Sequence, residues 1–152
     1  MISTREAYGK TLAFMASKNS EIIAVDGDVG NSTKSEDVKK IAPNQFVQGF
    51  IAEQNMIGVA AGLGLMGMRP IVYTITPFLT LRCLEQIKID VAYHKSPVIL
   101  VGTGSGLSYS NLGPTHHSLE DIAILRVIPD INILAPWDSK SLIKCLNLAL
   151  SN

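Results

Sequence analysis

Apolar and polar positions follow two rhythms that take turns along the chain, a helical spacing and short β-branched runs. Tyr8, Leu12 and Met15 recur at helical spacing behind Ser3-Thr4-Arg5-Glu6, which fits a capping box, so a helix is expected first. Ile22-Ile23-Ala24-Val25 predicts a strand, ended by turn chemistry in Asp26-Gly27-Asp28-Val29-Gly30-Asn31-Ser32. A short helix over 36–41 is closed by Pro43, and 46–50 predicts a second strand. Residues 53–66 predict a helix dense in small residues (Gly58, Ala60, Ala61, Gly62, Gly64), where each interior glycine costs roughly 1 kcal/mol against alanine. Such a helix gains close backbone approach, either onto its own sheet or across a subunit interface. A third strand over 71–75, a helix over 79–94 with Leu84, Ile87 and Val91 inward, and a nearly all-apolar fourth strand over 98–101 follow. Beyond a glycine-rich loop over 102–117, the pattern predicts a helix over 119–127 with Ser118 as N-cap and a fifth strand over 131–134. Asp138 then caps a last helix carrying Leu142, Ile143, Leu146 and Leu150.

Strands alternating with helices imply right-handed crossovers and a three-layer αβα domain around a mostly parallel sheet. Ligands in such folds sit beyond the carboxyl ends of the strands, here the loops at 26–35, 51–53, 76–80, 102–117 and 135–138. The chain stops at Asn152 just after a helix, where another parallel strand is expected. Its 152 residues, 47% hydrophobic, suit one ordered domain. With 13 basic against 13 acidic side chains there is no basic excess to hold nucleic acid. Cys83 and Cys145 are too few to staple a secreted scaffold, so a cytoplasmic location is expected. No apolar run approaches the ~18 residues of a membrane span.

Several chemistries drop out at the loops. Gly102-Thr103-Gly104-Ser105-Gly106 places its third glycine one residue early for a dinucleotide fingerprint, and no P-loop pattern occurs. The nucleophile-elbow pattern misses Ser105 by one position. Adjacent His116 and His117 diverge, and neither His94 nor the cysteines show ligand spacing, so no metal site is expected on this chain. In a strand-end loop, an imidazole can still move a proton near neutral pH. Glu53 opens a helix at a strand end. There a carboxylate serves either as dipole compensation or as a half-buried acid whose proton affinity its surroundings tune.

Five segments in register carry a resemblance over essentially the whole chain. Ile51-Ala52-Glu53-Gln54-Asn55-Met56, Gly113-Pro114-Thr115-His116-His117, Leu125-Arg126-Val127-Ile128-Pro129, Asp28-Val29-Gly30-Asn31-Ser32 and Thr4-Arg5 together resemble the pyrimidine-binding domain of transketolases. Gly106-Leu107-Ser108-Tyr109 and the Thr-His-His-Ser-Leu-Glu-Asp-Ile wording at 115–122 are similar to the carboxyl-side subunits of split transketolases. The resemblance implies thiamine diphosphate shared with a diphosphate-binding partner subunit that also holds Mg2+ or Ca2+. It implies that Glu53 hydrogen-bonds a ring nitrogen of the aminopyrimidine, where a shared proton favours the imino tautomer that removes the thiazolium proton. Asp28, Phe78 and Arg82 fall at cofactor contacts by the same resemblance. Arg5, Ser32, His116 and His117 fall at contacts to a sugar phosphate or related sugar, with His116 also catalytic. The implied activity is transfer of a two-carbon ketol unit between sugars, by a homodimer or heterotetramer. This chain is expected to be the single pyrimidine-binding domain, without the diphosphate-binding and carboxyl-terminal domains. Two positions depart from the pattern: Gly104, where transketolases proper have histidine, and Leu112, where they have aspartate. A catalytically inactive interaction module that keeps the fold is the other reading.

Overall fold

In the computed structural model, which describes residues 2–151, the Ser3 hydroxyl accepts the Glu6 N–H at 3.2 Å and the Glu6 carboxylate accepts the Ser3 N–H at 3.3 Å. This is the expected capping box, and it opens helix α1 (Thr4–Ala16). Strand β1 (Ile22–Asp26), the single turn α2 (Gly30–Thr33), α3 (Glu36–Ile41) and strand β2 (Phe46–Gln48) come next. The glycine-bearing helix α4 (Glu53–Leu65) leads to β3 (Arg69–Ile75), then α5 (Thr76–Leu79) and α6 (Leu84–Gln86), which continues as a π-helical stretch over Ile87–Tyr93. Strand β4 (Ile99–Thr103), α7 (Asp121–Leu125) and α8 (Ser139–Ser151) complete the order.

The four strands form one parallel sheet in the order β2-β1-β3-β4. Period-two alternation along β1 and β3 sorts side chains to two cores. Ile23, Val25 and Val72 face Met56, Ile57, Ala60 and Ala61 of α4 and Ile87 and Val91 of the π-helical stretch. Ile22, Ala24, Ile71 and Tyr73 face Tyr8 and Leu12 of α1, Val38 of α3 and Leu146 of α8. Helices therefore cover both faces, the three-layer αβα arrangement expected from the alternation. Leu12 and Ile57 are fully buried, and each contributes about 1.5–3 kcal/mol over remaining exposed. Asp138 caps α8 as expected, accepting the Ser141 N–H at 2.7 Å.

The structure corrects four local expectations. Residues 131–134 form no strand: Ile131 packs on the α4-side core, while Ile133 and Leu134 remain largely exposed. β4 consequently ends the sheet and is half-buried rather than enclosed. The helix expected over 79–94 is broken between Leu79 and Leu84 and then widens to π geometry. Ser118 is not an N-cap: its backbone bridges Gly106, its hydroxyl is buried without a partner, and α7 starts three residues later. Finally, β2 is shorter than 46–50, because Phe50 adopts a positive φ of 55° and leaves the sheet.

The α4 glycines differ in their surroundings. A Cβ on Gly64 would press on Ser96 Oγ and lie 3.0 Å from Pro97 Cδ, so this glycine serves packing within the domain. Gly58 and Gly62 face open space, beside exposed Val59 and Met66.

Candidate functional site

Because all four strands run the same way, Asp26, Gln48, Ile75 and Thr103 end on one side of the sheet. Glu53, the first residue of α4, lies just past β2 and is 3% exposed. A carboxylate buried to that extent needs a partner, and Arg82 Nη1 donates to its Oε2 at 2.6 Å. Among the described residues Arg82 is the donor to this carboxylate. The Arg82 guanidinium, itself half-exposed, lies 4.3 Å from the centroid of the Phe78 ring. On Phe78 the His116 ring stands edge-on, with centroids 5.1 Å apart. A second aromatic, Tyr109, meets His116 edge-on at 6.4 Å, and its hydroxyl accepts from Arg5 Nη2 at 2.7 Å. One continuous line of contacts thus joins Glu53, Arg82, Phe78, His116, Tyr109 and Arg5, drawn from α1, α4, the segment after β3 and the loop after β4.

Two buried groups hold the rim in place. Asp26 is fully buried and accepts from the Val29 N–H at 2.9 Å, from the Thr33 hydroxyl at 3.4 Å and from the Ser35 hydroxyl. These bonds fold the 26–35 loop back on itself, so Asp28 adopts a positive φ of 63° and accepts from Gln48 Nε2 at 2.9 Å. On the other side, Thr76 Oγ1 donates to the Thr103 carbonyl at 2.9 Å, and Gly102 gives it room. Burial pushes the Tyr73 phenol up, while the Thr103 hydroxyl and the Arg5 guanidinium pull it back.

Cys83 lies beneath Arg82, fully buried, with its thiol directed to the Phe78 carbonyl at 3.2 Å. Burial, aided by the negative charge of Glu53, pushes this thiol up to about 11 against a weaker opposing pull from Arg82. Only about 0.1% is thiolate at pH 8, so Cys83 is expected to alkylate roughly a hundredfold more slowly than a free cysteine. Mass-resolved iodoacetamide labelling at pH 8 should modify the half-buried Cys145 first and reach Cys83 only in denaturant. Equal labelling of both thiols in the native protein would contradict this.

Comparison with known proteins decides the family. The model of the transketolase pyrimidine-binding domain matches residues 1–152. The chain belongs to this family. One subunit of apulose-4-phosphate transketolase from Phocaeicola vulgatus is 40% identical over 148 residues, covering 97% of this chain and 47% of that protein. Human transketolase is 38% identical over 149 residues, covering 97% of this chain and 24% of the human protein. Among solved structures, a split-gene transketolase described as an inactive beta4 tetramer superposes with a TM-score of 0.87 at 36% identity, over 99% of this chain and 48% of that one. The chain therefore spans about half the length of the Phocaeicola relative and a quarter of the human one.

Within this pyrimidine-binding domain, Glu53, Arg82, Phe78, His116 and Arg5 fall on the single line of contacts. Asp28 lies apart, on the 26–35 loop with Gln48. Ser32 is exposed, its hydroxyl donating to the Val29 carbonyl at 2.9 Å, and among the described residues no side-chain hydrogen bond joins it to another candidate. His117 Nε2 faces the Ser110 carbonyl at 3.3 Å, whereas His116 pairs through Nδ1 with the Thr115 hydroxyl at 2.9 Å. Adjacent positions thus place one imidazole on Phe78 and the other against the loop backbone. Tyr109 is the site residue that sequence reasoning did not single out. No local pattern marks it, because its hydroxyl partner Arg5 lies 104 positions away.

Proposed function

We propose that this domain supplies the aminopyrimidine half of a thiamine diphosphate cleft in a two-chain enzyme that transfers a two-carbon ketol unit between sugars. The observation carrying the reading is the buried Glu53 carboxylate at the carboxyl end of the sheet, one oxygen held by Arg82 and Arg82 stacked on Phe78. These residues suit an aminopyrimidine: a carboxyl oxygen to share a proton with a ring nitrogen, and an apolar ring to lie against a flat heterocycle. Thiamine diphosphate, when bound, supplies the carbon nucleophile. Glu53 holds or releases the proton at the pyrimidine nitrogen, and Arg82 keeps the carboxylate oriented. Phe78 excludes water, and His116 moves a proton or donates a hydrogen bond to the sugar. Arg5, Ser32 and His117 bind the substrate's hydroxyl and anionic ends, and Asp28 contacts the cofactor from the rim.

The diphosphate and its Mg2+ or Ca2+ are assigned to a partner chain, a reading supported by a relative that is itself one subunit of its enzyme. A relative that is one subunit of its enzyme supports a two-chain assembly, and a relative solved as a beta4 tetramer supports self-association as well. The face of α4 bearing Gly58, Val59, Gly62 and Met66 is the contact surface, since glycines with open space above them allow close approach by another backbone.

Reconstitution tests the reading. The chain alone, with thiamine diphosphate and Mg2+, should show no turnover, and addition of a diphosphate-binding chain should produce cofactor binding and ketol transfer together. Turnover by the isolated chain overturns the partner requirement. Cofactor binding by the complex, with no transfer from a panel of ketose phosphates, favours the inactive interaction module.

A further inference from the structure

Tyr109 does structural work that the core does not need. It sits in the loop after β4, half-buried, and its hydroxyl accepts from Arg5 Nη2 at 2.7 Å across 104 positions of sequence. Its ring lies so close to Gly104 that a Cβ there would enter the ring, and Gly104 adopts a φ of +78°. His116 stands edge-on to the same ring. Arg5 has a second unusual property: no carboxylate among the described residues lies within 4.0 Å of it, so its partner is neutral. A guanidinium has five N–H donors in a fixed plane. With Tyr109 taking one of them, the plane is oriented while its charge stays uncompensated.

We propose that Tyr109 is a positioning and specificity-determining residue, holding Arg5 for the phosphoryl end of a sugar while its ring on Gly104 sets the distance from His116. This rests on the reading of the cleft given above. The phenol acts through Arg5 rather than on the reacting atoms. Because Arg5 donates to it, the phenol keeps its own O–H to offer to a ligand oxygen.

Two measurements test it, and they fail separately. On this chain alone, 15N resonances of the Arg5 guanidinium are followed while inorganic phosphate is added. The wild type should show a saturable shift at Arg5, and Tyr109→Phe should weaken that affinity about tenfold, the size of a lost hydrogen bond to a charged group. Unchanged phosphate binding in Tyr109→Phe overturns the proposal whatever the cofactor chemistry proves to be. In the reconstituted complex, a pentose 5-phosphate and the same pentose without phosphate are compared as acceptors. Tyr109→Phe should raise KM about tenfold for the phosphorylated sugar alone, with kcat within about twofold. In an Arg5→Ala background it should add nothing further. Equal changes for both sugars, or a full effect without Arg5, overturn it. Absence of turnover in the wild-type complex defeats the wider reading of the cleft, while the phosphate titration still reports on Tyr109. If Tyr109→Phe lowers the thermal midpoint, Arg5→Lys, which keeps the charge but loses the planar fork, should show the same preference for the unphosphorylated sugar.

Discussion

Under the proposed function, Glu53→Gln is expected to lower ketol transfer by the reconstituted complex by about 10²- to 10⁴-fold, the range for losing a positioned acid–base group. Glutamine matches the carboxylate in shape and still accepts from Arg82, but it cannot share a proton with a ring nitrogen. Hydrogen–deuterium exchange at the reactive carbon of thiamine diphosphate, followed by NMR, should slow in proportion. Stability should change little, within about 1 kcal/mol, because the half-exposed Arg82 is solvated when its charged partner is removed. Exchange at the wild-type rate in a folded Glu53→Gln complex would show that the buried carboxyl has another role.

The second large effect concerns stability. Gly64→Val should destabilise the domain by about 2–4 kcal/mol, through overpacking and loss of a buried hydrogen bond. The Ser96 hydroxyl that a new side chain would meet donates to the Ala61 carbonyl at 2.8 Å, tying α4 to the turn before β4. Pro97, with Cδ 3.0 Å from the added carbon, blocks the other way out. Gly62→Ala, one turn-face away and open, should instead gain about 0.5–1 kcal/mol from helix propensity. Urea denaturation midpoints of the two variants would test the contrast. An unchanged midpoint for Gly64→Val would mean that α4 slides off the 96–97 turn at little cost.

The architecture was legible wherever the local pattern and the tertiary role agreed. Ile22-Ile23-Ala24-Val25 is apolar on both faces because β1 is central, and the capping box at Ser3 and Glu6 needs only residues three apart. Residues 131–134 are apolar at three of four positions, but a strand exists only with a partner, and among the described residues no neighbouring ladder takes them up. The π-helical stretch was hidden for another reason: Ile87 and Val91 are four apart, a spacing that suits the inner face of either helix type. Glu53 stood out by its place at the start of a helix, yet that place alone left dipole compensation and a half-buried acid both open. Its burial and its grip on Arg82 depend on residues 29 positions apart, and no local pattern reports such a pair. Tyr109 escaped for the same reason, since its partner Arg5 lies 104 positions away.

The strand order also governs how the domain is made. Ala24 pairs with Phe46 and with Ile71, and Ile71 pairs with Ile99, so not one ladder is a hairpin. A chain emerging from the ribosome carries β3, apolar along most of its length, with a bare edge until Thr103 has cleared the exit. That interval, rather than the finished fold, is when this protein is most exposed to pairing with the wrong neighbour.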